Sequence, residues 1–373
     1  MTGSKRPTFC MIFEGIGPFN AIGRVAMDGI RIAQEAGYQV TVVAKRLDET
    51  LQKEVEWLKL YVPPRLLYLK WVTAERFIKQ ALGGRKFDII HAHQPQAAHL
   101  SDVFQCHYLT RRAYEADCFE NGNGVNKKLK RLQEYGVLRA EDRYYRRWNP
   151  KTHMLYNSGL TRDSFRQLYG APPGEDVLVC AAPAPRIPAE DERRKARIAL
   201  LGEDYKGPVV GYLGGLHRRK GYERLIKGLA GDNEVFLLMG GHRSAGFSAP
   251  EWKDRFKALG LVQDTVQFYA ACDVLVVPSL YEPLGVVCFE AVAGGTPVIT
   301  TGEVGALPHL LEYGMGAAWN PEEPLAPLVC DFAVRRKALE PNAIRMCLDL
   351  GTQSYKQKLL SIYQKILSEK ALL

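Results

Sequence analysis

Two glutamates eight positions apart, Glu282 and Glu290, stand in the stretch SLYEPLGVVCFEAVAGGTPVITT (279–301), which is otherwise built from apolar and small residues. Carboxylates accept paired hydrogen bonds from vicinal hydroxyls. The run CDVLVVPS reads as a buried strand, YEPLG as its exit loop, and VVCFEAVAGG as a helix stopped by two glycines. Glu282 therefore falls in a strand-end loop, and Glu290 about a turn and a half into the next helix. The first free amides of that helix, near Gly285, Val286 and Val287, form an anion site. An acceptor in the loop, an acceptor on the helix and phosphates between them match the layout of a nucleotide sugar. The plain alternative for this spacing is a solvated loop residue and a helix-face residue paired with a lysine. Lys220, in RRKG, is a cation from another strand-end loop, its plain alternative being a solvated lysine that opens a helix.

In the N-terminal half His91, His93 and His107 gather at strand ends, in FDIIHAH and DVFQCHY. The H-x-H repeat puts two rings on one strand face, but no nearby cysteine or carboxylate completes a metal set. No D-x-D occurs to grip a divalent cation with a diphosphate. No metal is expected, and lysine, arginine and helix amides take its place. The loop GIGPFNAIGR carries glycines at 15, 17 and 23, which is not the dinucleotide spacing G-x-G-x-x-G. Gly17 and Gly23 either admit a ligand close to the backbone or only make turns. Arg24 opens the following helix and is a cation for an acidic acceptor.

These residues need a scaffold, and the apolar pattern supplies one. TFCMIFE, GIGPFNAIG, RVAMDGIRIAQEAG and YQVTVVA read as strand, glycine-rich turn, amphipathic helix and strand, a βαβ unit of a parallel sheet. FDIIHAH, DVFQCHY and HMLYNS continue it. After the proline-rich, then charged stretch APAPRIPAEDERRK (182–195), a second series begins with GPVVGYLGG, EVFLLMGG, CDVLVVPS and GTPVITTG. At 373 residues the chain is too long for one ordinary core. The expected fold is α/β, two Rossmann-like doubly wound domains facing a central cleft, with ligands beyond the carboxyl ends of the strands.

A net charge of +9 invites nucleic acid, an anionic membrane face or a phosphorylated substrate. KKLKRLQEYGVLRAEDRYYRRW (127–148) interleaves cations with leucines and aromatic residues, which suits an anionic membrane surface as well as an ordinary amphipathic helix with a basic face. No nucleic-acid module is visible, so nucleic acid is not an expected partner. The eight cysteines form no C-x-x-C and mostly sit in apolar runs, as buried thiols of a reducing compartment do. The apolar run near the N-terminus is too short for a signal peptide or a membrane span. The expected location is cytoplasmic, with peripheral attachment to the inner membrane face as an extension.

CDVLVVPSLYEPLGVVCFEAVAGGTPVITT resembles the donor-site signature of the retaining glycosyltransferases of family 4, or group 1, which have the two-Rossmann GT-B architecture. GYLGGLHRRKGYERLIKGL, VFLLMGG, LGLVQDTVQFYAACD and FDIIHAH agree in order. SDVFQCHYLTRRAYEA with the basic region after it is similar to the lipopolysaccharide-core glucosyltransferase branch. The resemblance implies transfer of a sugar from a UDP- or GDP-sugar to a hydroxyl of a carbohydrate or lipid-linked acceptor, with retention and with no cofactor. It implies three domains: an acceptor domain over 1–185, a nucleotide-sugar domain over 186–354, and a helix over 355–373 that crosses back to the first. Donor contacts are implied for Gly17, Gly214, Gly215, Arg218, Arg219, Lys220, Gly241, Glu282, Pro283, Leu284, Gly285, Val286, Val287 and Glu290, acceptor contacts for Arg24 and His93, and catalytic roles for His107, Glu282 and Lys220. Glu282 would meet the donor sugar, Glu290 the ribose, and Lys220 the diphosphate. One departure stands out: members of the family usually carry arginine where this chain has Gly215, so Arg218 or Arg219 is expected to reach in instead. An epimerase on the same frame and a non-catalytic glycosyltransferase-like binding protein are the alternatives.

Overall fold

The computed structural model of the chain describes residues 6–61, 67–118, 125–147, 149–179, 182–202, 204–242, 244–247 and 250–371. Trp148 and the side chains of residues 127–131 in the basic stretch, and Cys180, lie outside the described residues. Backbone contacts divide the chain into two units, residues 1–111, 121–180 and 355–373 in one, residues 112–120 and 181–354 in the other.

The first unit is built on a seven-stranded, wholly parallel sheet of β1 (Thr8–Ile12), β2 (Gln39–Ala44), β3 (Glu56–Lys59), β4 (Ile89–Ala92), β5 (Val103–Cys106), β6 (His153–Tyr156) and β7 (Glu175–Val177). Its order is β3-β2-β1-β4-β5-β6-β7. The order reverses between β1 and β4, and a crevice for ligands opens beyond the strand ends at such a point. Around it lie α1 (Ala21–Glu35), α2 (Leu67–Leu82), α3 (Thr110–Glu115), α4 (Val125–Tyr145) and α5 (Gly159–Tyr169), with α3 grouping with the second unit from residue 112 onward. Asn20 caps α1 by accepting from the Gly23 amide at 2.8 Å. Gly23 itself is a packing glycine: a Cβ there would lie 2.5 Å from the Gly15 carbonyl oxygen. The C-terminal helix, Thr352–Ala371, packs Tyr363 onto Phe9 with ring centroids 5.3 Å apart.

The second unit carries six parallel strands, β8 (Val209–Leu213), β9 (Phe236–Gly240), β10 (Phe256–Ala258), β11 (Val274–Val277), β12 (Val298–Thr300) and β13 (Gly316–Ala318), in the order β10-β9-β8-β11-β12-β13. Its reversal lies between β8 and β11. The helices are α6 (Glu190–Leu201), α7 (Tyr222–Gly228), α8 (Thr265–Ala271), α9 (Val286–Ala293), α10 (Leu307–Glu312), α11 (Ala326–Arg335) and α12 (Glu340–Asp349). Central strands such as β11, VLVV, are buried throughout, which is why they read as unbroken apolar runs. The outer strands β3, β7, β10 and β13 carry no such run, and the sequence pattern missed all four.

One local device recurs in both units. An aspartate directly before a strand accepts an amide from the first or second residue of the strand beside it: Asp88 from Thr8 at 2.7 Å, Asp102 from Ile90 at 2.8 Å, and Asp273 from Val209 at 2.9 Å. Each carboxylate thus pins the register of a parallel pair where the ladder begins. Asp273 is the most enclosed of the three and also holds Arg197 at 2.5 Å, with the buried Arg336 at 4.0 Å. Replacing it by alanine strands buried cations and an amide together, so Asp273→Ala is predicted to lower stability by about 3 kcal/mol in urea unfolding, well beyond the effect of Asp88→Ala at an exposed site. Equal losses at the two positions would contradict this account.

Candidate functional site

In the second unit the loops after β8 and β11 flank the reversal of strand order and lie directly on each other. Arg218–Lys220 form one 3-10 turn closed by Gly221, which has φ +66. A Cβ at Gly221 would lie 1.9 Å from the Pro278 carbonyl oxygen, so only glycine allows this approach. The Leu280 amide then donates to the Arg219 carbonyl at 2.9 Å. A second bare contact sits alongside, since a Cβ at Gly241 would fall 2.1 Å from the Gly214 carbonyl oxygen.

This stacking delivers two cations to one carboxylate. Lys220 Nζ lies 2.5 Å and Arg219 Nη1 2.9 Å from Glu282 Oε2, and Arg219 also donates to the Tyr281 carbonyl at 3.2 Å. The Glu282 backbone is fixed on both sides, its amide donating to Glu303 and its carbonyl accepting from Gly305, each at 2.9 Å. The Glu282 side chain is 14% exposed, and Oε1 has no donor among the described residues. Burial pushes the Glu282 carboxyl up, but Lys220 and Arg219 outweigh it and hold the group below the ordinary carboxylate range. Arg218 does not join them; it turns to Asp117, donating from Nε to the Asp117 carbonyl at 2.8 Å and from Nη2 to its carboxylate. Of the two arginines named from the sequence, Arg219 is the one that stands beside Lys220.

Gly285 adopts a left-handed conformation (φ 85, ψ 64) as the N-cap of α9 and provides no side-chain cap hydrogen bond. Pro283 and Leu284 are buried beneath this turn, while Val286 and Val287 are half-buried. Glu290, one turn into α9, accepts from the Tyr269 hydroxyl at 2.9 Å and borders a cavity of about 280 Å³ with Pro183, Arg186 and Thr265. Glu282 and Glu290 both raise the buried Cys288 thiol, after burial itself. Beside Gly215 the rings of His217 and His242 lie 17° from parallel with centroids 6.1 Å apart, and a Cβ at Gly215 would meet His217 at 2.7 Å. Sequence reading missed His217, His242 and Tyr269. It also missed Arg112, which bonds Glu303 at 2.7 Å and lies 5.8 Å from the Tyr281 ring.

In the first unit a cavity of about 240 Å³ is bordered by Phe13, Glu14, Trp71, His93, His107 and Glu141, at the reversal between β1 and β4. His93 Nδ1 and His107 Nε2 are 2.8 Å apart. Burial drives both rings below the ordinary histidine range, His107 to about 3, so both are neutral near neutral pH. Glu141, fully buried on α4, accepts the Thr110 and Arg111 amides at 2.8 and 2.9 Å and so caps α3. No sequence signal marks it, because its partners lie some thirty residues away. Arg24 stands exposed on α1, and Gly17 (φ +144) packs against Phe19 and Asp48. The C-terminal half of the basic helix α4 is core material, with Val137, Leu138, Tyr144 and Tyr145 buried, while Arg139, Arg143, Leu132 and Tyr135 stay exposed. No described helix is long and apolar enough to cross a membrane.

Two family profiles match the chain, "Glycosyltransferase Family 4" over residues 22–181 and "Glycosyl transferases group 1" over residues 207–327. Among curated proteins, the chain is 27% identical over 238 residues to a D-inositol 3-phosphate glycosyltransferase of Corynebacterium kroppenstedtii, covering 57% of this chain and 52% of that one. The chain thus spans about half the length of that relative. It is 35% identical over 136 residues to a 2-deoxystreptamine glucosyltransferase of Streptomyces kanamyceticus, covering 33% and 34%. Solved structures with the same fold include WaaG, a glycosyltransferase involved in lipopolysaccharide biosynthesis (TM-score 0.69, 18% identity, covering 96% of this chain and 98% of that one), and a sucrose-phosphate synthase of Thermosynechococcus elongatus (TM-score 0.72, 19% identity, 98% and 100%). Anabaena HepE, solved with UDP and glucose, matches with TM-score 0.62 at 18% identity over 99% of this chain and 100% of that one.

The cluster around Glu282 makes stability depend on pH with a definite sign. A carboxyl depressed on folding contributes stability above its unfolded value and loses that contribution as pH falls through the folded one. The gap in urea stability between the parent protein and Glu282→Gln is therefore predicted to be full at about pH 7 and to close below about pH 4. A gap that stays constant down to about pH 3 would show that Glu282 is not held ionised.

Proposed function

The chain belongs to the group 1, family 4 glycosyltransferases of GT-B architecture, and on that premise we propose that it moves a sugar from a nucleoside-diphosphate sugar to an acceptor hydroxyl, with retention at the anomeric carbon and without a metal. The observation that carries this reading is the ionised Glu282 pinned by Lys220 and Arg219 where two strand-end loops meet. Glu282 Oε1 accepts from hydroxyls of the donor sugar, the second oxygen of Glu290 from the ribose, and the α9 amides from the diphosphate. The bond from the anomeric carbon to the diphosphate oxygen breaks, the acceptor oxygen takes its place on the same face, and the acceptor proton passes to the departing phosphate. Lys220 and Arg219 oppose the charge that grows on that phosphate, and fixed cations stabilise it more in the transition state than before. UDP and UDP-glucose in the HepE structures support a nucleotide-sugar donor.

The first-unit cavity, with Trp71 as an apolar wall and neutral His93 and His107, is the proposed acceptor side for a carbohydrate or lipid-linked hydroxyl. His107 hydrogen-bonds substrate oxygen in this reading. The exposed Arg139, Arg143, Leu132 and Tyr135 of α4 suit contact with an anionic membrane face on the cytoplasmic side. Arg219 offsets the missing arginine at Gly215, which favours an enzyme over a non-catalytic binder.

A set of UDP- and GDP-sugars screened by thermal shift, then incubated with hydroxyl acceptors in the presence of EDTA, tests the proposal. One donor family should raise the melting temperature and yield a glycoside with the donor's anomeric configuration. Glu282→Ala and Lys220→Ala should each lower turnover by about 10²–10³. A donor that is only isomerised, or turnover undiminished in Glu282→Ala, would overturn it.

A further inference from the structure

The first unit holds a column of buried rings. His91 on β4 and His93 just beyond it share a strand face, their centroids 4.5 Å apart. The His91 Nδ1 lies 2.7 Å from the hydroxyl of Tyr363 on the C-terminal helix. At the other end His93 Nδ1 meets His107 Nε2 at 2.8 Å, the two rings within 15° of parallel. His93 Nε2 is buried without a hydrogen-bond partner among the described residues. His107 borders the cavity, and its Nδ1 makes no bond among the described residues.

A neutral imidazole has one N–H and one lone pair, so the His93–His107 bond can be made in two ways. If His107 Nε2–H donates, His93 must carry its proton on Nε2, an enclosed donor with nothing to receive it. If His93 Nδ1–H donates, only a lone pair is left at His93 Nε2. A buried orphan N–H is the rarer and costlier of the two. The second arrangement also decides the state of His107, because an accepting Nε2 requires the proton on Nδ1.

We propose that His93 is a positioning residue which, donating from Nδ1 to His107 Nε2, locks His107 in the Nδ1–H tautomer, so that His107 offers substrate a hydrogen-bond donor and not an acceptor. The inference rests on the reading of His107 as a residue of the transfer reaction, and it deepens that reading by assigning the direction of its hydrogen bond. His107 then cannot take the acceptor's proton at Nδ1; it donates to a sugar or phosphate oxygen. His93 contributes through His107 and is not itself a ligand for the acceptor.

Histidine-selective ¹⁵N labelling with two-bond proton–nitrogen correlation reads the tautomer without any substrate, the His107 signals being identified by their loss in His107→Gln. The expected result is Nδ1–H at His107 in the parent protein and in His93→Asn, whose amide keeps a donor near the Nδ1 position, and a shift towards Nε2–H in His93→Leu. With the donor found by screening, His93→Leu should lose kcat by about 10–100-fold with little change in KM, while His93→Asn recovers most of it. Nε2–H at His107 in the parent protein, an unaltered tautomer in His93→Leu, or equal kinetic losses in His93→Leu and His93→Asn would overturn the proposal. Full turnover in His107→Ala would instead remove His107 from the reaction, leaving the tautomer assignment to be decided by the labelling.

Discussion

A carboxylate enclosed by protein stays ionised only where cations or hydrogen-bond donors are held beside it, and at Glu282 two cations meet that requirement. Lys220 and Arg219 sit on the loop after β8, Glu282 on the loop after β11, and the two loops must touch for the three groups to meet. Gly221 permits that contact because any side chain there would strike the Pro278 carbonyl. The Arg219 carbonyl and the Leu280 amide then stitch the loops together. Charge, backbone conformation and strand order are thus parts of a single constraint, located at the point where the sheet reverses its winding.

In the proposed reading the cluster also answers for Gly215. Two positive side chains converge on one oxygen of Glu282, so a second cation is already in place without an arginine at that position. The other oxygen has no donor among the described residues, which in the proposed reading leaves Glu282 for a hydroxyl and its partners for a phosphate. The first unit works by the opposite means. Its buried histidines are neutral, bonded to each other and to Tyr363, and Glu141 is spent on capping α3. Under the proposed function such a surface would sort ligands by hydrogen-bond direction, whereas the second unit would answer to charge.

Much of this was legible in the sequence, and the misses have physical causes. Strands buried on both faces announce themselves as apolar runs, so β1, β4, β8 and β11 and the loops after them could be placed. The edge strands β3, β7, β10 and β13 could not, since their ladders depend on a neighbour already being there. Glu282, Glu290 and Lys220 stood out by type and context. The choice between Arg218 and Arg219 was hidden, because adjacent residues in a tight turn point in different directions and sequence spacing does not say which faces inward. The basic stretch 127–148 read either as a membrane-surface element or as an ordinary amphipathic helix with a basic face, and composition did not say that Glu141, Tyr144 and Tyr145 within it belong to the core. The strand-end placement of His93 and His107 could be read, but not the bond between them, and the pairing of Glu141 with the Thr110 amide leaves no local mark.

The central claim is that Lys220 and Arg219 serve the phosphates of a donor while Glu282 serves its sugar. Isothermal titration of the free nucleoside diphosphate and of the corresponding nucleotide sugar, against the parent protein, Lys220→Met and Glu282→Gln, separates those duties. The account predicts that Lys220→Met weakens both ligands at least about tenfold, the scale of losing one well-placed charged contact, and that Glu282→Gln weakens only the sugar-bearing one. Unchanged affinity for the nucleoside diphosphate in Lys220→Met, or equal weakening of both ligands in Glu282→Gln, would contradict it.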